Sequence, residues 1–327
     1  VRGDNSGRLK SAYKFIKEKV VEELILLWAE EYSWTEKESF DHFRDLFSNR
    51  MVLADITLNS YEHDPFEVFN RLNVSGTRLE KMDLIRNEVF KPYGGRPDEA
   101  DSFFDSTWEP FQKKLEGIFP NDTRENIEKN TQNFFHPYAL TFDPKIRQTT
   151  IVHDLISQWN THFSSDRNFD PKRAVQSMSD FVEYYRIILT GEAPDWITSK
   201  SLKSAIIDLV SMKIYTATYS FIMANLHALH NNKLDASSVE KNFRIVESFI
   251  VRRTFANEEE GTGIHAIFKS LWVKSKGAPK EVRKNIISRT KSFPNDAQFS
   301  DGIMNTDLYG KKIEKYCLLK YEEYLND

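Results

Sequence analysis

Apolar residues recur at intervals of three and four along almost the whole chain, and that period constrains its fold more than any other feature. It begins with Tyr13, Ile16, Val20, Val21, Leu24, Leu27 and Trp28, which fall on one face of a helix with 3.6 residues per turn. Thr35 and Glu38 then make a capping box, in which side chain and backbone satisfy each other's hydrogen bonds, and a second helix follows through Phe40, Phe43, Leu46 and Phe47. Further helix starts are expected near Asp98, Asp122, Lys145, Asp170, Ser201, Ser237, Gly263, Pro279 and Thr306. Asp170-Pro171 offers a cap followed by proline in the first turn, Ser237 to Glu240 reads as a further box, and Gly191 as a stop. The stretch from Ser201 to His230 is apolar on most sides, as a helix through the middle of a bundle is. Only Met51 to Leu58 alternates with period two, through Val52, Ala54, Ile56 and Leu58. The expectation is a mainly α, multi-helix bundle with one short strand or small β element near residues 51–58.

The 327 residues are 40% hydrophobic and include 24 Phe, 13 Tyr and 6 Trp, enough to fill a substantial core. No apolar run approaches the roughly 20 residues of a membrane span, and no basic-then-apolar leader opens the chain. We therefore expect a cytoplasmic protein with no membrane partner. Cys317 is the single cysteine, so neither an internal disulfide nor a cysteine-based zinc site can form. With 45 basic and 49 acidic residues the net charge is -4. No global field attracts DNA, and any nucleic-acid contact must come from a local patch. The polar opening VRGDNSG and a first residue other than Met suggest a fragment of a longer protein. The turn-rich run Lys91-Pro92-Tyr93-Gly94-Gly95-Arg96-Pro97 suggests a domain boundary, giving units 1–97 and 98–327.

Several reaction classes lack their motifs. There is no phosphate loop ending in Gly-Lys-Ser/Thr, no His-Glu-x-x-His and no Gly-x-Ser-x-Gly, and no catalytic residue is assigned. Of eight histidines only His227 and His230 are spaced to share a helix face; a helix end running into Asn231-Asn232 explains them without a metal. Asp101, Asp105 and Glu109 follow at steps of four and read as a solvated acidic face near a helix start. Arg252 and Arg253 can clamp phosphate or a carboxylate, or one pairs with a glutamate while the other is solvated. Phe66 to Phe90 is the most informative segment. Asn73 and Gly76 lie in a tight loop between two helices, Thr77 and Glu80 cap the second, and its N-terminus directs partial positive charge outward, so the loop suits a phosphate. Leu79, Met82, Ile85 and Val89 make its buried stripe, which leaves Asp83, Arg86 and Asn87 on other faces. Periodicity alone describes a well-capped helical hairpin.

The same string, Phe69-Asn70-Arg71-Leu72-Asn73, then Gly76, Leu79 and Asp83-Leu84-Ile85-Arg86-Asn87, resembles the signature block of the GmrSD-type modification-dependent restriction endonucleases, within their ParB-like N-terminal domain. Glu247 to Phe255 looks like that family's later Tyr-x-x-Arg-Arg helix, and Phe293 to Leu319 like its closing segment. The resemblance implies a protein that cuts modified phage DNA, with an N-terminal nucleotide-hydrolysing motif, Asp-Gly-Gln-Gln-Arg, and a C-terminal His-Asn-His nuclease. Both motifs are missing here. It therefore implies the helical body between the two activities: residues 1–97 ending the nucleotide- or DNA-handling domain, and residues 98–327 linking toward the nuclease. Asn73, Gly76, Asp83, Arg86, Asn87, Arg252 and Arg253 are the candidate nucleotide- or DNA-binding residues. No cofactor belongs to this chain; a nucleoside triphosphate and Mg are implied only for the intact protein, as are modified DNA and nucleotide as partners through flanking domains. The competing expectation is a non-catalytic helical interaction or regulatory scaffold.

Overall fold

The computed structural model describes residues 13–51, 80–165, 168–256, 263–289 and 293–326. Backbone contacts divide the chain into two units, Val1–Asn59 and Ser60–Asp327.

In the smaller unit, α1 (Leu24–Tyr32) and α2 (Glu36–Asp45) form a helical hairpin. The chain reverses at Ser33, which takes φ 54° at the end of α1. The Thr35 amide then donates to Glu38 Oε2 at 2.8 Å and the Glu38 amide to Thr35 Oγ1 at 3.2 Å, which is the capping box read from the sequence. His42 packs edge-on between Trp28 and Trp34, with centroids 5.5 and 5.2 Å away.

The described part of the larger unit begins with α3 (Lys81–Phe90), followed by α4 (Pro97–Phe103), α5 (Glu109–Glu116), α6 (Arg124–Gln132), α7 (Phe135–Leu140) and α8 (Ile151–His162). Two residues each from β1 (Ser164–Ser165) and β2 (Asn168–Phe169) pair antiparallel. Then come α9 (Pro171–Thr190), α10 (Lys200–Ser211), α11 (Tyr219–His230), α12 (Ala236–Phe255), α13 (Ile264–Ser275), α14 (Pro279–Arg289), α15 (Asp296–Asn305) and α16 (Glu314–Asn326). The protein is a mainly α, multi-helix fold. Among the described residues no helix is long and apolar enough to cross a membrane. The strand expected over 51–58 lies, apart from Met51, outside the described residues. The expected boundary at 97 falls inside the larger unit, where α3 buries Ile85 and Val89 completely.

Local chemistry explains several of the helix limits. Asp170 accepts from the Arg173 amide at 3.2 Å ahead of Pro171, and Gly191 ends α9 at φ 76°, a conformation open to glycine without strain. Between α4 and α5 the chain makes a π-type turn, Phe104–Trp108. Pro110, in the first turn of α5, has no N–H to continue a regular ladder into that turn.

Three expectations differ. The stretch from Ser201 to His230 is two helices, α10 and α11, because Lys213 turns the chain with φ 49°. The later helix, α11, is the core spine and buries most of its positions, from Ser220 to Leu226 and Ala228. Ser237 does not cap α12; Asp235 does, accepting from the Ser238 amide at 2.7 Å, since a carboxylate two residues earlier reaches the same free amides. Near the C-terminus α15 starts at Asp296, capped by Asn295 and Gln298, and the helix expected from Thr306 starts at Glu314.

Two buried polar clusters fix how the helices meet. Asn242 of α12, fully buried, donates to Asn225 Oδ1 of α11 and to the Gly277 carbonyl, each at 2.7 Å. A charged cluster joins α10, α12 and α16: Arg244 Nη1 lies 2.5 Å from Asp208 and 2.6 Å from Glu247. The Tyr316 hydroxyl donates to Glu247 Oε1 at 2.5 Å, and Lys320 pairs with Asp208 at 2.9 Å. Buried carboxylates persist only when so neutralised.

Candidate functional site

Of the residues singled out from the sequence, Asn73 and Gly76 lie outside the described residues, as does Thr77. The described part of that segment is α3. Its Ile85 and Val89 are buried, Asp83 and Arg86 are exposed, and Asn87 is half-buried and engaged with neighbours. The Arg86 guanidinium sits over the Phe104 and Phe90 rings, 5.2 and 5.7 Å from their centroids, a cation–π position at a solvated surface. Glu80 accepts from Gln132 Nε2 of α6 at 2.6 Å.

Arg252 and Arg253 are used inside the helical body. Arg252 donates to the Pro294 carbonyl at 3.1 Å, pairs with Asp296 at 2.6 Å and lies 4.9 Å from the Phe299 ring centroid. It thereby holds the start of α15 against α12. Arg253 is 2% exposed, over the Phe249 ring at 5.5 Å. His227 stacks on Phe181 at 4.7 Å, and His230 stacks on Trp196 at 4.5 Å while meeting the Tyr184 hydroxyl at 2.9 Å. Both imidazoles are packing elements, and among the described residues no group of three or more His, Cys, Asp or Glu could hold a metal ion.

The arrangement with binding chemistry lies elsewhere, in a cleft of about 680 Å³ between α6, α7, α9, α11 and α13. His136 enters from α7, and His265 and Lys269 enter from α13, one turn apart. Arg147 and Gln148 come from the turns before α8. The end of α6 adds the amides of Asn130, Gln132 and Asn133, while Tyr185 and Tyr219 form an aromatic wall. No aspartate or glutamate lines it. Among the described residues, Arg147 and Lys269 make no ion pair, and both are exposed. None of Asp83, Arg86, Asn87, Arg252 and Arg253 lines this cleft.

Its electrostatics follow from that lining. Burial lowers the basicity of His136, and the positive charges of Lys81 and Lys269 with the neighbouring His265 lower it further, against a hydrogen bond with the Ile146 backbone that raises it. Lys81, at the start of α3, is itself held below the ordinary lysine range by burial. The Tyr185 and Tyr219 hydroxyls are pushed up by burial and stay protonated at neutral pH. Cations, imidazole, amides and neutral phenols converge on one space, and all of them can donate a hydrogen bond to an anion. The histidines, the arginine and the lysine belong to distant segments, so no linear motif announces the set; the available signal was His265 and Lys269, which have no acidic residue three or four positions away.

Comparison with protein-family models, with curated proteins and with solved structures returns no match for this chain.

Proposed function

We propose that the larger unit is a helical binding module that takes a phosphate-bearing ligand, a nucleotide or nucleic acid, in the cleft between α7 and α13. We place it in the nucleotide-dependent restriction of modified DNA that the Phe69–Asn87 resemblance implies. The observation that carries the reading is a cleft with exposed Arg147 and Lys269, partly buried His136 and no carboxylate, in a chain whose net charge is -4. Gathering like charges is unfavourable without a counter-charge, and a module serving only as a scaffold needs no such gathering. Arg147 offers a planar fork to phosphate and Lys269 a point charge. The lining suits the phosphates of a nucleotide, but it offers no carboxylate to hold the Mg implied for the intact protein. The residues of this chain bind and orient; the resemblance assigns the chemistry to flanking motifs.

Calorimetric titration with ATP, GTP and a short oligonucleotide tests the proposal. A charge-assisted hydrogen bond contributes about 1.5–3 kcal/mol, so Arg147→Ala or Lys269→Ala is expected to weaken binding roughly 10- to 150-fold. Because both side chains are exposed, the melting temperature should hold. Equal affinity of the double variant and the parent for every ligand refutes the reading.

A further inference from the structure

A second cleft, of about 620 Å³, shares three helices with the basic one, α9, α11 and α13. Along α9 the lining passes from Tyr185 to Phe181, along α11 from Tyr219 to Ala224, and along α13 from Lys269 to Trp272. Each step is three to five residues, about 5–8 Å at a rise of 1.5 Å per residue. On α13 the residues His265, Lys269 and Trp272 succeed one another at i, i+4 and i+7, so a single stripe of that helix serves both clefts. The short helix α7 does the same, giving His136 to the first cleft and passing directly into Thr141 and Phe142 of the second.

The chemistry changes along this path. The second cleft is walled by aromatic rings, Phe142, Phe163, Phe181 and Trp272. His227 lies flat on Phe181; burial lowers its basicity, and at neutral pH it adds an uncharged ring to the wall. Arg173 and Lys233 stand exposed at the rim with no ion pair among the described residues, Arg173 lying 5.9 Å from the Phe163 centroid. The one carboxylate, Asp180, accepts from Gln176 at 2.9 Å. Rings that bases can stack on, flanked by cations for the backbone, are the means by which single-stranded nucleic acid is held without sequence readout. The rise between the nearest lining residues of the two clefts corresponds to about two stacked nucleotides at 3.4 Å each. A duplex, with its bases already stacked and paired, presents no free base face to such rings.

Building on the proposed phosphate-binding role of the first cleft, we infer that the two clefts are subsites of one track for a single-stranded nucleic acid, phosphates held at Arg147 and Lys269 and bases stacked against Phe142 and Trp272. The ligand is a short strand segment, and a mononucleotide occupies only the basic end.

Anisotropy titrations with labelled hexathymidylate and hexauridylate, set beside competition by thymidine and uridine monophosphates, test this on the full chain. The hexanucleotides should bind at least 10-fold more tightly than the monophosphates. Trp272→Ala should weaken hexanucleotide binding roughly 5- to 150-fold, the range expected for one stacked base, while monophosphate binding stays within about twofold. Should that variant fold poorly, the double variant Arg173→Ala/Lys233→Ala, confined to exposed side chains, should show the same split. Monophosphates binding as tightly as the hexanucleotides overturns the track and leaves the basic cleft standing, as does a hexamer duplex binding as tightly as the single strand. Failure of every ligand to bind overturns the proposed function together with the track.

Discussion

Replacing Arg244 by alanine tests the charged cluster most directly. One guanidinium nitrogen lies 2.5 Å from Asp208 and 2.6 Å from Glu247, whose side chains are 9% and 11% exposed. Removing it leaves two buried carboxylates facing each other with only Lys320 and the Tyr316 hydroxyl to compensate. Breaking a buried pair in this way costs about 3–5 kcal/mol. Arg244 itself is 36% exposed, so water entering its place screens part of the repulsion, and about 2–3 kcal/mol is expected. At about 2 °C per kcal/mol for a unit of this size, the melting temperature falls roughly 4–6 °C. Urea titration gives the free energy and calorimetry the temperature. The double variant Arg244→Ala/Asp208→Asn should lose less than the sum of its parts, because the second change removes a charge that the first has stranded. A loss below about 0.5 kcal/mol, or strict additivity, refutes the view that the arginine neutralises both acids.

Three further outcomes are expected. Gly277 has φ 74°, and a Cβ there would lie 2.5 Å from Leu234 Cδ1 and 2.8 Å from Trp272 Cζ3; Gly277→Ala should lower stability by about 1–3 kcal/mol in urea titration. Anion affinity should rise as pH falls from 8 toward 6. His136 is held below the ordinary imidazole range by burial and adjacent positive charge, a bound phosphate reverses part of that shift, and the bound state therefore takes up protons. An affinity flat over that range, or unchanged in its pH dependence by His136→Gln, contradicts it. Burial raises the Tyr138, Tyr184, Tyr185 and Tyr316 hydroxyls well above the ordinary phenol range. Above pH about 10 the unfolded chain releases protons that the folded one keeps, so stability should decline with rising pH across that range in denaturant titrations.

Much of the architecture was written locally. Thr35 with Glu38, Asp170 before Pro171, and Gly191 each state a boundary through a hydrogen bond or a dihedral preference that needs no distant partner. The break between α10 and α11 was hidden, because Lys213 adopts its left-handed turn under tertiary constraint and apolar residues continue on both sides. Arg252 illustrates a similar limit. A guanidinium pair reads alike in sequence whether it meets a phosphate or, as here, the Pro294 carbonyl, Asp296 and two phenylalanine rings. The basic cleft was least legible of all: His136, Arg147 and Lys269 come from separate elements, and only their assembly shows that no acid stands among them.

The attachment of α16 also bears on synthesis of the protein. Tyr316 reaches back 69 positions to Glu247, and Lys320 reaches farther, to Asp208. While the ribosome is still making α15, the cluster on α10 and α12 has its arginine but neither of these later donors. A nascent chain halted at that stage should therefore be cut by protease within α10 and α12, and release of α16 from the exit tunnel should restore resistance.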